Sequence, residues 1–260
     1  MSKMPVVFSG HGSPMIALEH NEITKTMEAV GKEVVEKHGK PKAILAISAH
    51  WYTKGTYIQS APRPKQIYDM YGFPAALYRV KYPVSGDQEL TQLVLSLLGD
   101  QASVDDGWGI DHGSWSLLVH MFPQADLPVV PLSVDATLTG EECYERGKKL
   151  SALREEGYLI FASGNLVHNL YQVEWDKPDG TKMTHAFNDY IVQAAINGSL
   201  EKAIHYEKAP SSSYAVPTPD HYMPFLYALG AAQGDKVKVF NNVSNLGSIA
   251  MTGFLWGDKQ

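Results

Sequence analysis

Four short apolar, β-branched runs along the chain each stop at a glycine, serine, histidine or asparagine, or at an aspartate. Residues 5–9 (PVVFS) run into Gly10-His11-Gly12, and residues 43–48 (AILAIS) into Ala49-His50-Trp51. Residues 129–134 (VVPLSV) run into Asp135, and residues 158–162 (YLIFA) into Ser163-Gly164-Asn165. Near-continuous apolar runs of this length predict strands buried on both faces, as in a largely parallel sheet. Helical patterns lie between them, over residues 21–37, 87–98, 140–156 and 184–197. A fifth, residues 219–232, opens on Thr218-Pro219-Asp220, a helix-start cluster. Residues 236–240 and 248–255 predict closing strands, for which an antiparallel return is open. Strands alternating with helices predict an α/β layered domain. Residues 62–83 break the pattern with Pro62, Pro64, Tyr68, Tyr71, Phe73, Pro74, Tyr78, Tyr82 and Pro83. They predict a loop packed by its own rings, with a wall for an aromatic-binding pocket as the functional alternative.

Composition narrows the function classes. Nothing among the 260 residues reads as an interdomain linker, so one domain over 1–260 is expected. With a net charge of -6 and no basic cluster, no nucleic-acid partner is expected. Residues 146–154 (RGKKLSALR) read as a solvated helix face. The single cysteine, Cys143, cannot form an internal disulfide and suits a reducing compartment. It lies in a polar helical stretch without a histidine beside it, which argues against a nucleophile. The first apolar run is too short for a signal-peptide core, and no stretch is long enough to span a bilayer. A cytoplasmic protein with no membrane partner is expected.

The chemistry lies in the ten histidines. His20, His38, His120, His185 and His205 sit in helical or polar segments and read as surface or packing residues. The remainder have unusual contexts: His11 in SGHGSPM, His50 in ISAHWY, His112 in GIDHGSW, His168 in SGNLVHNL and His221 in PTPDHYMP. His11 and His50 directly follow predicted strands, and His168 follows one by a few residues. Ligands of open α/β sheets bind outside the carboxyl ends of the strands, so three imidazoles meet there if those strands are parallel neighbours. Imidazole suits iron, zinc, copper and nickel. Glycines beside His11 and His112 permit close backbone approach. Taken singly, a strand-end histidine is more often a packing residue than a ligand. No HExxH motif, GxSxG elbow or Gly-rich phosphate loop is present. Asp69, Asp105, Asp106, Asp111, Asp135 and Asp220 supply carboxylates without a spacing that demands acid–base roles.

In order, GHGSPM, SAHW, GFPxxLY (residues 72–78), DHGSW, GNxVHN and PTPxHYxP (residues 217–224) resemble the class III extradiol ring-cleavage dioxygenases. The likeness is closest to the bacterial 4,5-DOPA extradiol dioxygenase group, related to the LigB subunit of protocatechuate 4,5-dioxygenase, and runs from about residue 5 to 255. It implies one α/β domain with a central, mostly parallel mixed sheet and helices on both faces. It implies non-haem Fe(II), with Zn(II) readily taken in its place by the isolated protein. By match, His11, His50 and His221 are the expected metal ligands. His168 is expected on the metal's open side, as acid–base catalyst or as a further ligand when zinc fills the site. His112 is expected as a second catalytic histidine of the pocket. LigB-type enzymes place a glutamate at the third ligand position; this chain has Asp220-His221, with His221 the expected ligand and Asp220 its orienting partner.

The implied reaction is extradiol cleavage of a catechol such as L-DOPA with O2, giving a ring-opened semialdehyde, with Trp115 and the stretch 68–82 as candidate pocket walls. Catechol and O2 are the expected partners, and a monomer or small homo-oligomer the expected state. Two other classes fit a histidine cluster. One is a zinc hydrolase with metal-bound water as nucleophile. The other is a non-catalytic metal- or partner-binding protein of the Memo-like kind, since fold and function separate.

Overall fold

In the computed structural model, which describes residues 3–258, the apolar runs become strands with side chains sorted by the pleat into two cores. The strands are β1 (Val6–Gly10), β2 (Ile44–Thr53), β3 (Thr56–Ile58), β4 (Ala102–Val104), β5 (Val129–Asp135), β6 (Leu159–Gly164), β7 (Lys236–Phe240), β8 (Ser244–Asn245), β9 (Ile249–Ala250) and β10 (Gly253–Asp258). Leu45 and Ile47 of β2, with Ile160 and Ala162 of β6, enter one core. Ile44, Ala46, Leu159 and Phe161, one position out of phase, enter the other. That alternation between two apolar environments is why these strands carry no polar face.

Eight strands form one sheet in the order β4-β3-β5-β2-β6-β1-β10-β7. The central four, β5, β2, β6 and β1, are parallel. β10 and β7 close one side antiparallel, which makes the sheet mixed. β7 alternates exposed lysines with half-buried valines, as suits an edge strand that must stay unpaired.

The helices are α1 (Glu22–His38), α2 (Gln88–Leu98), α3 (His112–Met121), α4 (Gly140–Leu150), α5 (Lys182–Ile196), α6 (Leu200–Ile204), α7 (Ser212–Ala215) and α8 (Met223–Ala232). α1 packs on α3, and α4 on α8, covering opposite faces of the sheet. Side-chain caps at Asn21, Asp87 and Thr139 start α1, α2 and α4.

Boundaries differ from the sequence expectation in three places. The helix expected over 140–156 ends at Leu150 and continues as a 3-10 turn, Ser151–Arg154. The helix expected from 219 begins as a 3-10 turn, Pro219–His221, before α8. The strand expected over 248–255 divides into β9, paired with β8 in a separate ribbon, and β10 in the main sheet.

Candidate metal centre

β2, β6 and β1 lie side by side and parallel, so whatever follows their carboxyl ends shares one crevice. His11 comes directly after β1, and His168 a few residues after β6. His50 lies within β2, at an interruption. Pairing with β6 ends at Ser48, and pairing with β5 shifts between Ser48 and Tyr52. This irregularity re-aims the intervening side chains, as bulges do. His112 opens α3 behind its N-cap Asp111, and His221 ends the 3-10 turn before α8.

All five marked histidines meet. The His11 ring centroid lies 4.9 Å from His50, 5.1 Å from His221, 5.9 Å from His112 and 6.4 Å from His168. His50 and His112 are 3.9 Å apart, and His168 stacks on His221 at 3.5 Å with the rings nearly parallel. The tightest triple of ligand atoms, all within 4.8 Å of one another, comes from His11, His50 and His112. That triple includes His112 rather than His221.

Two glycines make the approach feasible. A Cβ on Gly164 would stand 2.2 Å from the His221 carbonyl oxygen, and one on Gly113 would stand 2.8 Å from Ser48 Oγ. Only a bare backbone lets β6 lie against the His221 turn and α3 against β2.

The hydrogen bonds fix the tautomers. Ser163 Oγ donates its one proton to the Gly113 carbonyl, so at 2.9 Å it accepts from His11 Nδ1. Asp69 Oδ2 accepts from His50 Nδ1 at 2.8 Å, and Asp69 Oδ1 lies 3.0 Å from His112 Nδ1. Asp220 accepts from His221 Nδ1. Ser163 and the two carboxylates accept here, so the neutral rings of His11, His50 and His221 carry their protons on Nδ1 and keep the Nε2 lone pair, whereas His112 Nδ1, though close to Asp69, is not aligned for a hydrogen bond. His11 Nε2 and His50 Nε2 then face each other at 3.1 Å, both as acceptors. His221 Nε2 is buried with no partner. Facing lone pairs and an orphaned buried nitrogen are relieved by a cation between them, so the donor set fits a divalent transition metal. His168 differs: among the described residues no side chain hydrogen-bonds its ring, which stacks on His221 while its backbone N–H donates to Ala215 O.

The electrostatics match. Burial, reinforced by the other imidazoles, holds His11 well below the ordinary histidine range. Burial also lowers His221, only partly opposed by Asp220. It lowers His168 to about 2, with His221 adding to the effect. Burial acts the same way on His50, but the hydrogen bond to Asp69 and the charges of Asp111, Asp69 and Asp220 outweigh it and raise its pKa. Burial would raise Asp69 and Asp220; the adjacent imidazoles of His112 and His50, and of His221, instead hold both carboxyls well below their usual range.

Over the histidines lies a cavity of about 350 Å³, within the size range of small-molecule sites. Its upper wall is apolar: Met70 and Phe73 from the Pro/Tyr-rich loop, then Leu170, Val173, Trp175, Leu246 and Ile249. The loop is thus both self-packed, with Tyr68 against Tyr78 and its hydroxyl on Val80 O, and a cavity wall. Trp115 does not line the cavity. It is fully buried beneath the loop, donating to Ile67 O, because α3 turns it into the core. Sequence reasoning passed over Ser163 and the wall at 170–175. Of these, only the serine beside Gly164 at a strand end carried a signal.

Residues 5–253 match the family described as the catalytic LigB subunit of aromatic ring-opening dioxygenase. The chain is 39% identical over 241 residues to a 4,5-DOPA dioxygenase extradiol of Escherichia coli K12, covering 90% of this chain and 88% of the relative. It is 37% identical over 242 residues to a 4,5-DOPA dioxygenase extradiol of Beta vulgaris, covering 90% of each. The crystal structure of an uncharacterized Escherichia coli K12 protein superposes with a TM-score of 0.85 at 34% identity, covering 98% of this chain and 100% of that one.

Proposed function

The chain belongs to the LigB family of aromatic ring-opening dioxygenases and is an extradiol ring-opening enzyme, and on that premise we propose that it cleaves a catechol of the L-DOPA kind with Fe(II) as its catalytic metal. The observation that carries the metal reading is the inward-facing set of Nε2 lone pairs on His11, His50 and His221 beneath an apolar cavity. The names of the relatives support the substrate. Bound Fe(II) supplies a centre at which catechol and O2 meet and exchange electrons.

The protein supplies the rest. His11, His50 and His221 hold the metal through Nε2, kept neutral by burial or oriented by a carboxylate. The apolar wall takes the face of the aromatic ring and limits water. His168, neutral and without a hydrogen bond fixing its tautomer, accepts a proton from a catechol hydroxyl and returns one later. His112, which also lines the cavity, orients a catechol oxygen. With Zn(II) and no substrate, His168 is available as the fourth ligand that zinc favours. A second reading, favoured by the tightest triple, exchanges His112 for His221 as the third ligand.

The whole of 1–260 acts in this proposal as one catalytic domain, in the cytoplasm, as a monomer or small homo-oligomer. The near-complete span of the family match supports the single domain. Among the described residues, no helix is long and apolar enough to cross a membrane.

The test is oxygen uptake by protein loaded anaerobically with Fe(II), across a panel of catechols including L-DOPA and caffeic acid. We expect stoichiometric O2 consumption and a yellow semialdehyde with iron, and none with Zn(II). Uptake no faster than with free iron for every catechol would overturn the substrate and metal assignment. Metal retained by His221→Ala but lost by His112→Ala would establish the second ligand set.

A further inference from the structure

One carboxylate holds both a clustered imidazole, His50, and the backbone of a second histidine, His112. Asp69 Oδ2 accepts from His50 Nδ1 at 2.8 Å; Asp69 Oδ1 lies 3.0 Å from His112 Nδ1 and accepts the His112 backbone N–H at 2.9 Å. The side chain is only 10% exposed, so water does not readily take over these contacts. Asp69 also directly precedes Met70, which with Phe73 walls the cavity. Its loop is clamped to the start of α3 by Ile67 N–H to Ile110 O, Ile110 N–H to Lys65 O and Trp115 Nε1 to Ile67 O.

We propose that Asp69 is a positioning residue whose carboxylate sets the tautomer of His50 and ties the cavity wall and the start of α3 to the metal centre. The consequence for the metal rests on the ring-opening reading given above; the tautomer does not. With Oδ2 as acceptor, the neutral His50 ring must carry its proton on Nδ1 and offer Nε2 as a lone pair. An amide in the same place has one acceptor and one donor. Oδ1 faces the His112 backbone N–H, which can only donate, and Oδ2 faces His50 Nδ1, which can change tautomer, so the amide of Asp69→Asn settles with oxygen toward His112 and NH2 toward His50. His50 Nδ1 must then accept. The ring proton moves to Nε2 and points at His11 Nε2, where the lone pair of a ligand is needed. The neutral, nearly isosteric change thus disables His50 while keeping the bond to the His112 backbone N–H.

The experiment is long-range ¹H–¹⁵N correlation of metal-free protein with ¹⁵N-labelled histidine, alongside Zn(II) affinity by chelator competition. In the wild type we expect neutral His50 as the Nδ1–H tautomer. In Asp69→Asn we expect His50 to switch to Nε2–H, with Zn(II) affinity down about 10–100-fold, the range for lost orienting partners of ligand histidines. An Nε2–H tautomer for His50 in the wild type would overturn the proposal without any variant, should Asp69→Asn fail to fold. So would a folded Asp69→Asn with an unswitched His50 or unchanged affinity. If instead the tautomers behave as stated and no catechol draws O2 in the wild type, the catalytic reading fails and the positioning role stands.

Discussion

An imidazole becomes a ligand or a proton carrier according to what holds its other nitrogen. In this cluster His11 is held by Ser163, His50 by Asp69 and His221 by Asp220, while the His168 ring has only a stacked neighbour. The proposed roles therefore separate in single variants. We expect His11→Ala, His50→Ala and His221→Ala each to lose most metal together with activity while far-ultraviolet dichroism is unchanged. We expect His168→Ala to keep its Fe(II) and bind catechol, with kcat reduced about 10²–10⁴-fold, the usual contribution of a general acid–base group. Metal content by emission spectrometry and single-turnover rates distinguish the two classes. Stoichiometric metal in two of the three ligand variants, or a His168→Ala protein that loses metal in step with activity, is incompatible with these assignments.

At the scale of elements, the strands were legible because both faces of each are buried. The continuous apolar runs of β1, β2, β5 and β6 leave no other use for those residues, and three of the histidines could be placed at or near strand ends from the chain alone. α3 was not legible. Nearly all its residues, from His112 through Met121, are buried, so it has no polar face to generate a helical period. The irregularity that aims His50 leaves no mark in ISAHWYT, because its cause is a change of pairing with β5 across the sheet. Asp69 is a tertiary partner, supplied by a loop to β2 and α3, and no spacing in sequence announces it. One element contact gives a sharp expectation. β6 approaches the His221 turn so closely that Gly164→Ala must displace either the strand end or His221. Overpacking of this kind costs about 1–3 kcal/mol. We expect Gly164→Ala to lower the urea midpoint accordingly and to weaken metal binding, although residue 164 bears no ligand. A variant with wild-type metal affinity would mean that the turn moves without carrying its histidine out of place.

For the whole molecule, gathering five imidazoles under an apolar roof makes the metal-free fold sensitive to acid. His11, His168 and His221 have folded pKa values below the ordinary value, chiefly through burial. Below about pH 6.5, the unfolded chain takes protons on these three that the native state refuses. Stability changes with pH in proportion to the protons bound by the unfolded state minus those bound by the native state, so it falls as the solution is acidified. His50 acts in the opposite sense. Its pKa is raised, so its contribution is complete below the unfolded value and is lost as pH rises through the folded one. Asp69 and Asp220, both lowered, contribute above the unfolded carboxyl value near 4 and lose that contribution only in stronger acid. Between pH 7 and 5 the balance is three groups against one. We expect the unfolding free energy of metal-free protein to drop by on the order of 2–4 kcal/mol across that window. Urea denaturation at pH 7, 6 and 5 in the presence of chelator measures it. The slope should be shallower in His168→Ala, from which one refused proton has been removed. A wild-type stability that is flat or rises on acidification would show that the clustered imidazoles accept protons in the folded state, and the neutral donor set proposed for the metal would fall with it.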